Sequence, residues 1–292
     1  MKYLFTNVIG RFIIDDNGSI TKDSAPQKTQ LKELPTEKIN LALEAFKDKK
    51  YFASFSEKNK EITKKAIKDS VNEDNLITQT ISNITELDRA GNLLVKRLRE
   101  WYGLYFPELS ERIQSHESFV EVILAKSKTE LTKEFSVENL MGADLSKADV
   151  DEMLLLATQV KALYEVRKQH EIYLEGIMKN YCPNILELAG VTVGAKLLEL
   201  GKSLKHLAML PASTIQLLGA EKALFRHLKT GSRSPKYGVV FQHQLIQNAP
   251  KKIRGKAARM LADKLSLCAR LDYFKGEFKA PEYRKILEEK IK

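Results

Sequence analysis

Seven positions along 109–131, five of them apolar and the other two His116 and Ser127, recur at spacings of three and four residues among charged neighbours. This spacing is typical of a coiled-coil seam, because it keeps the apolar positions on one edge of a helix. A second stripe of the same kind runs along 153–177. We predict that the two stripes pair in a hairpin, which then self-associates because two helices alone leave part of the seam in water. The predicted dimerisation residues are Leu109, Ile113, Val120, Ile123, Met153, Ala157, Val160 and Tyr164.

The ends of the second hairpin helix carry local signals. Residues 135–145 contain Gly142 and read as a connecting loop, and Ser146 followed by Asp149 predicts a capped helix start. Pro183 cannot continue the helix, which therefore ends near Tyr181. Because the loop is short, the two helices are predicted to be antiparallel.

The segments on either side of the hairpin differ in pattern. The first 75 residues or so mix strand and helix signals, with strands predicted at 3–8, 11–15 and 51–55 and a helix at 37–48. Beyond Pro183 the helices are predicted near 186–208, 211–218, 220–230 and 252–274. The predicted fold class is mainly α, with a small N-terminal α/β module, a long antiparallel coiled-coil hairpin and a C-terminal all-helical domain. The predicted domains are residues 1–106, 107–181 and 182–292.

Positive charge is concentrated at one end of the chain. Residues 192–292 carry 21 Lys and Arg against 8 Asp and Glu, a net of 21 − 8 = +13, whereas residues 1–191 carry 27 against 30, a net of 27 − 30 = −3. Such a segment predicts a polyanion as partner, because Lys and Arg that meet phosphates release condensed counterions. The alternative is a solvated basic surface without a ligand.

Several classes of chemistry lack a sequence signal. Gly201-Lys202-Ser203 is not a phosphate-binding loop, because Lys196 stands where that motif requires its first glycine. The five histidines show no metal-ligand spacing, and Cys182 and Cys268 read as buried free thiols of a reducing compartment. No apolar run reaches the length of a membrane span, and the N-terminus does not read as a signal peptide. We therefore expect a soluble, intracellular protein, and none of these residues calls for a catalytic site.

Two stretches of the basic segment carry candidate RNA contacts. Gly219 and Gly231 flank a short helix on which Lys222, Arg226 and Lys229 share one face, and its start reads as an anion site. Residues 251–270 form a second amphipathic helix with Lys252, Lys256 and Arg259 on the exposed side. An exposed imidazole beside this helix could stack on a splayed base, although a histidine alone more often packs in a core. The predicted RNA-binding residues are Gly219, Ala220, Glu221, Lys222, Arg226, Lys229, Gln242, His243, Lys252, Arg254, Lys256 and Arg259.

The runs GAKLLELGKSLKHLAMLPASTIQLLGAEKALFRHLKTG (194–231) and GVVFQHQLIQNAPKKIRGKAARMLADKLSLCARLDYF (238–274) closely resemble the Nop domain. This domain is found in scaffold proteins of box C/D guide ribonucleoproteins and in a spliceosomal relative. NLLVKRLREWYGLYFPEL (92–109) resembles the family's entry into its coiled coil, and the α/β module resembles its fibrillarin-binding domain. The chain ends at Lys292 without the Lys/Glu-rich tail of eukaryotic members, which favours an archaeal-type version.

The resemblance implies partners and residue roles. The N-terminal module would hold fibrillarin, the methyltransferase that uses S-adenosylmethionine to modify RNA 2′-hydroxyls, so that cofactor is expected on the partner and none on this chain. The Nop domain would bind guide RNA together with a small kink-turn-binding protein. Residues 219–222 match the family's GAEK motif near the end of the guide–substrate duplex, and His243 matches a position that stacks on an RNA base in the spliceosomal relative.

The predicted function is a non-catalytic scaffold that recruits a methyltransferase to guide RNA and sets its distance from the target nucleotide. A spliceosomal-type scaffold for a small nuclear RNA and a stand-alone RNA-modifying enzyme are the alternatives. We expect a homodimer, located in the cytoplasm of an archaeon or in the nucleolus of a eukaryote.

Overall fold

The computed structural model of the protein describes residues 2–22, 32–136 and 140–291. They form two compact units, which divide between Asn72 and Glu73. The boundaries predicted from the sequence, at 106/107 and 181/182, both fall inside the second unit and stay predictions. The mainly helical class with a small N-terminal sheet is confirmed.

The first unit is built on a three-stranded antiparallel sheet in the order β1-β2-β3. The strands are β1 (Lys2–Asn7), β2 (Gly10–Asp15) and β3 (Ile20–Lys22). The strands β2 and β3 are joined by the Asp-Asn-Gly turn at 16–18, in which Gly18 adopts a φ of 77°. Two helices follow the sheet, α1 (Ile39–Ala45) and α2 (Lys49–Ser70).

An aromatic cluster joins α2 to the sheet of this unit. The Phe46 ring lies 4.9 Å from both Phe12 and Tyr51 and 5.9 Å from Phe55, measured between ring centroids. Tyr51 and Phe55 reach Phe46 together because they are four residues apart on a helix. The strand predicted at 51–55 is therefore wrong, since Asp48 caps a helix by accepting a hydrogen bond from the Lys50 amide at 3.2 Å.

The second unit contains a long antiparallel helix pair, α3 (Glu73–Tyr105) and α7 (Lys147–Tyr181). The register follows from two contacts. Arg167 forms an ion pair with Asp88, and Gly91 lies so close to Tyr164 that a Cβ would be 3.2 Å from its ring. Ser146 begins α7 with the predicted capping box, in which its hydroxyl oxygen accepts from the Asp149 amide at 3.3 Å and the Asp149 carboxylate accepts from the Ser146 amide at 3.2 Å. An antiparallel helix pair is thus present, but the helix that runs along α7 is α3 and not the predicted helix at 109–131.

The predicted continuous helix at 109–131 is wrong. The chain forms three short helices there, α4 (Pro107–Arg112), α5 (His116–Ala125) and α6 (Lys128–Glu134). Ser115 caps α5 and Ser127 caps α6 with Glu130 as the reciprocal partner, so local side-chain acceptors interrupt the run. Arg99 also binds this turn, with its guanidinium donating to Ile113 O at 2.7 Å and Ser115 O at 3.0 Å.

The three short helices fold back on the helix pair and cover the apolar seam. Of the eight predicted dimerisation residues, six are buried within the single chain, and Ile113 and Tyr164 are half-buried. The prediction that a second chain is needed to cover the apolar seam is therefore wrong, because the seam is already buried within a single chain. The six buried residues are Leu109, Val120, Ile123, Met153, Ala157 and Val160.

The rest of the second unit is a cluster of helices around one core. The helices are α8 (Pro183–Ala189), α9 (Val191–Gly201), α10 (Leu204–Met209), α11 (Ala212–Leu217), α12 (Glu221–Thr230), α13 (Gln244–Gln247), α14 (Arg254–Tyr273) and α15 (Ala280–Ile291). The core is continuous with the base of the long pair, where Ile77, Ile81, Leu174 and Met178 belong to the same buried cluster. Both cysteines lie in it as free, buried thiols.

A buried polar junction holds the C-terminal helix to this core. The Asn184 side chain donates to Asp272 Oδ1 at 2.8 Å and accepts from the backbone amides of Lys279 and Ala280 at 2.8 and 3.1 Å. The other Asp272 oxygen accepts from the Ile185 amide at 2.9 Å. Asn184 and Asp272 are 2% and 4% exposed, so each would be costly to leave without these partners.

Candidate nucleic-acid interface

Helix α12 presents its cations to solvent. Lys222, Arg226 and Lys229 are all exposed, and none of the ten residues 221–230 is buried. The helix is held from one side, where Leu224 is half-buried and the His227 ring bonds to the carbonyl of Ser232. It ends at Gly231, whose φ of 65° is the left-handed conformation predicted for a glycine after a helix.

Two large apolar side chains are exposed on the same helix. Phe225 is 61% and Leu228 is 69% exposed, although the sequence pattern placed Leu228 on a separate apolar face. Because they are three residues apart, they form a strip next to the cationic one. The helix thus offers both charge and apolar surface to a partner.

The turn before α12 is shaped by Gly219, which has a φ of 85°. A Cβ at this position would lie 2.8 Å from Val239 Cγ2, so both the backbone angle and the space require glycine. The Gly219 amide donates to Glu221 Oε1 at 2.7 Å, and the Ala220 amide donates to Leu217 O at 2.8 Å. These two amides are therefore engaged within the turn, and the predicted anion site could use only amides further along the helix.

Gln242 and His243 are adjacent but have different environments. Gln242 is exposed, and its Oε1 accepts a hydrogen bond from Lys196 Nζ at 3.2 Å. The His243 ring is half-buried, with Nε2 3.0 Å from Leu188 O and Nδ1 3.2 Å from the Leu245 amide nitrogen. Because Nδ1 accepts from that amide, Nε2 carries the proton and donates to Leu188. Burial lowers the pKa of His243, so the ring is neutral at pH 7.

Around the start of α14, three cations are exposed and a fourth is held by hydrogen bonds to the backbone. Lys252, Lys256 and Arg259 are exposed, as predicted. The half-buried Arg254 guanidinium donates to Ala249 O at 2.9 Å and Gln247 O at 2.8 Å, so it fixes the preceding loop. Arg254 is therefore less available to a phosphate than its neighbours.

The structure brings together residues that lie far apart in the sequence. The Val239 amide donates to Leu218 O at 2.8 Å, so Gly219 and Gln242 line one cleft. Lys236, which was not predicted as a contact, packs by its methylenes near Gly255 at the start of α14. The sequence feature that could have indicated Lys236 is the Ser-Arg-Ser-Pro-Lys run at 232–236, which places two basic residues in a polar loop between two glycines.

The charged side chains of this region are almost all positive. Residues 202–260 contain twelve Lys and Arg and a single carboxylate, Glu221. Within the part of the chain that the structure describes, the side chains of Lys222, Arg226, Lys229, Lys252, Lys256 and Arg259 form no ion pair or hydrogen bond with another residue. These six side chains, called here the six free cations, are available to neutralise phosphates.

Known proteins resemble this chain over its C-terminal part and over most of its length. A family model described as Nop, "snoRNA binding domain, fibrillarin", matches residues 83–292. A NOP5 family protein of Methanocaldococcus jannaschii is 39% identical over 301 residues, which span 92% of this chain and 72% of that protein. The chain belongs to the NOP5 family of Nop-domain proteins. The six free cations all lie within the matched Nop domain.

Eukaryotic relatives share the Nop domain over part of their length. Nucleolar protein 58 of Schizosaccharomyces pombe is 40% identical over 215 residues, 68% of this NOP5-family chain and 42% of that protein. Nucleolar protein 56 of the same yeast is 37% identical over 222 residues, 69% of this chain and 45% of that protein. The chain therefore spans less than half the length of these two relatives. A crystal structure of a fibrillarin/Nop5p complex is similar over all of both chains, with 25% identity and a TM-score of 0.47.

The described part of the NOP5-family chain lacks two features, a metal-binding cluster and a membrane-spanning helix. Among residues 2–22, 32–136 and 140–291, no group of three or more His, Cys, Asp or Glu side chains is placed to hold a metal ion. Over the same residues, no helix combines the length and the apolar character that crossing a membrane demands.

Proposed function

We propose that the chain is a non-catalytic scaffold of a box C/D ribonucleoprotein. In this proposal the C-terminal helical domain binds guide RNA together with a kink-turn-binding protein, and the N-terminal α/β unit holds the fibrillarin methyltransferase. The observation that carries the proposal is the set of six free cations on a domain whose family is described as snoRNA-binding. Phosphate neutralisation by such side chains supplies a large share of the affinity for nucleic acid.

In this proposal the methyl-transfer reaction is carried out by fibrillarin and not by this chain. S-adenosylmethionine would be bound by fibrillarin and not by this chain, whose part is to set the distance between the methyltransferase and the target nucleotide. Of the predicted contacts, the six free cations are proposed to bind RNA phosphates, whereas His243 and Arg254 are proposed to shape the loop that precedes α14. Location in the archaeal cytoplasm, or in the nucleolus of a eukaryote, is part of the same proposal.

Self-association also belongs to the proposal, but it requires a surface other than the buried seam. The far end of the long helix pair exposes Leu104 (63%) and Met141 (82%). The Ala143 amide donates to Leu104 O at 2.8 Å, which holds the loop carrying Met141 against the end of α3. We propose this exposed apolar tip as the contact in a homodimer. Light scattering on a Leu104→Asp, Met141→Asp variant should then report a monomer, and an unchanged dimer would contradict this assignment.

Reconstitution tests the function directly. The chain, fibrillarin, the kink-turn-binding protein and a guide RNA with boxes C and D are mixed with S-adenosylmethionine and a target RNA. We expect methylation of one target nucleotide, which is lost when either this chain or fibrillarin is omitted. Methylation by this chain and S-adenosylmethionine alone would instead support a stand-alone enzyme. Binding of a spliceosomal small nuclear RNA in preference to the guide RNA would support the spliceosomal alternative.

A further inference from the structure

A polar cleft opens between the long helix α3 and the helix α9, beside the candidate RNA-binding residues. Its volume is about 290 Å³. Helix α3 contributes Ser82, Thr85 and Glu86, and helix α9 contributes Lys196, Glu199 and the apolar Leu200. Gly219, Val239 and Gln242 complete the lining, so the cleft has both polar and apolar walls. The cleft is called here the α3–α9 cleft. It is bounded by α3 as well as by the C-terminal helices, although the sequence-based prediction restricted RNA contacts to residues 219–259.

The polar side chains of the cleft form hydrogen bonds with one another, and some of their donors and acceptors remain available to a ligand. Glu199 Oε1 accepts from the Ser82 hydroxyl at 2.6 Å, which leaves the second carboxylate oxygen free of side-chain donors among the described residues. Lys196 Nζ donates to Gln242 Oε1 at 3.2 Å and retains two further N–H donors. Lys196 and Glu199 lie three residues apart on α9, so a cation and a carboxylate stand side by side.

This pairing suits a neutral ligand better than an anion. A phosphate would meet the Lys196 ammonium but would be repelled by Glu199 and by Glu86 at the edge of the cleft. A nucleobase presents hydrogen-bond donors next to acceptors on one edge, so its donor can bond to the carboxylate and its acceptor to the ammonium.

The position of the cleft supports the same ligand. Gly219 and Gln242 belong both to the cleft and to the predicted RNA-binding set, so RNA on that surface passes the cleft mouth. Proteins that read RNA by sequence usually bind splayed, unpaired bases, in part by hydrogen bonds to the base edges. We propose that the α3–α9 cleft receives one unpaired nucleobase of the bound RNA, with Glu199 as acceptor and Lys196 as donor. This inference rests on the proposed function.

Two variants of the full chain test the base pocket. Lys196→Ala and Glu199→Gln are compared with Lys205→Ala, which removes an exposed charge from the neighbouring helix α10. The probe is a guide RNA with boxes C and D, and the kink-turn-binding protein is present throughout. Affinity is measured at several salt concentrations, and melting temperatures are recorded alongside. Glu199→Gln keeps an oxygen that can accept from Ser82, so the fold should be retained.

The base pocket predicts an affinity loss of about tenfold for Lys196→Ala and for Glu199→Gln, with little change in the salt dependence. A phosphate site predicts the opposite sign for Glu199→Gln, which would then bind RNA more tightly, and a smaller salt dependence for Lys196→Ala. Either of those results, or wild-type affinity for both variants, would overturn the inference.

The failure of the inference can be told from the failure of the proposed function. If Lys222→Ala with Arg226→Ala weakens RNA binding while both cleft variants bind normally, the scaffold function stands and the base pocket does not. If no variant of either set changes RNA binding, the proposed function itself is wrong.

Discussion

The affinity of the chain for RNA should fall steeply as salt is added, because the six free cations can each displace a counterion. The slope of log affinity against log salt is about −0.7 per neutralised phosphate for single strands and about −0.9 for duplexes. Six contacts then predict a slope of about −4 to −5. Between 50 and 200 mM salt the affinity should therefore fall roughly 300- to 2000-fold.

Single substitutions make the prediction specific to the structure. Lys222→Ala should weaken binding and make the slope shallower by about 0.7 to 0.9, with a stability change under about 0.5 kcal/mol because the side chain is exposed. Arg254→Ala removes one positive charge as well, but this guanidinium bonds to Ala249 O and Gln247 O. Its loss should leave the slope unchanged and cost about 1–3 kcal/mol of stability, or several degrees of melting temperature.

Fluorescence anisotropy with a labelled guide RNA and the kink-turn-binding protein measures the slopes, and circular dichroism measures the melting temperatures. A flat affinity between 50 and 200 mM salt would refute the electrostatic interpretation. A shallower slope for Arg254→Ala, together with an unchanged slope for Lys222→Ala, would show that the assignment of exposed and anchored cations is wrong.

Three further predictions concern stability. Asn184→Ala should lower the unfolding free energy by about 2–4 kcal/mol, because buried backbone and carboxylate partners are left unsatisfied. The variant should melt several degrees lower than wild type. The exposed control Asn180→Ala should melt within about 1 °C of wild type. Lys202→Gly should raise stability by about 0.5–1 kcal/mol in urea titrations, because Lys202 holds a φ of 66°; a loss would contradict this. Burial lowers the pKa of His116 and His243, so the unfolded chain binds more protons below about pH 6.5 and the unfolding free energy should fall from pH 7 to 5.5. His116→Asn, whose amide oxygen can replace Nδ1, should reduce that fall, and an unchanged pH dependence would exclude the contribution of this ring.

Features set by neighbouring residues could be predicted from the sequence. The Ser146–Asp149 capping box, the left-handed Gly231 and the end of α7 before Pro183 all depend on side chains within three or four positions, and all three are as predicted. The concentration of charge in the last hundred residues also requires no structure, and neither does the resemblance of residues 194–274 to the Nop domain.

The tertiary structure decided which of those residues are available to a partner. His243 bonds to Leu188 across 55 positions and Arg167 to Asp88 across 79, and no local pattern reveals such pairs. The seam at 109–131 was correctly identified as apolar, but whether it faces a second chain or the same one depends on how α4, α5 and α6 fold back. Burial is a property of the whole packed unit, because water is excluded by residues that are distant in the chain. The sequence by itself therefore determined the helix caps, the helical class and the net charge, and packing determined which cations, aromatic rings and seam residues remain exposed.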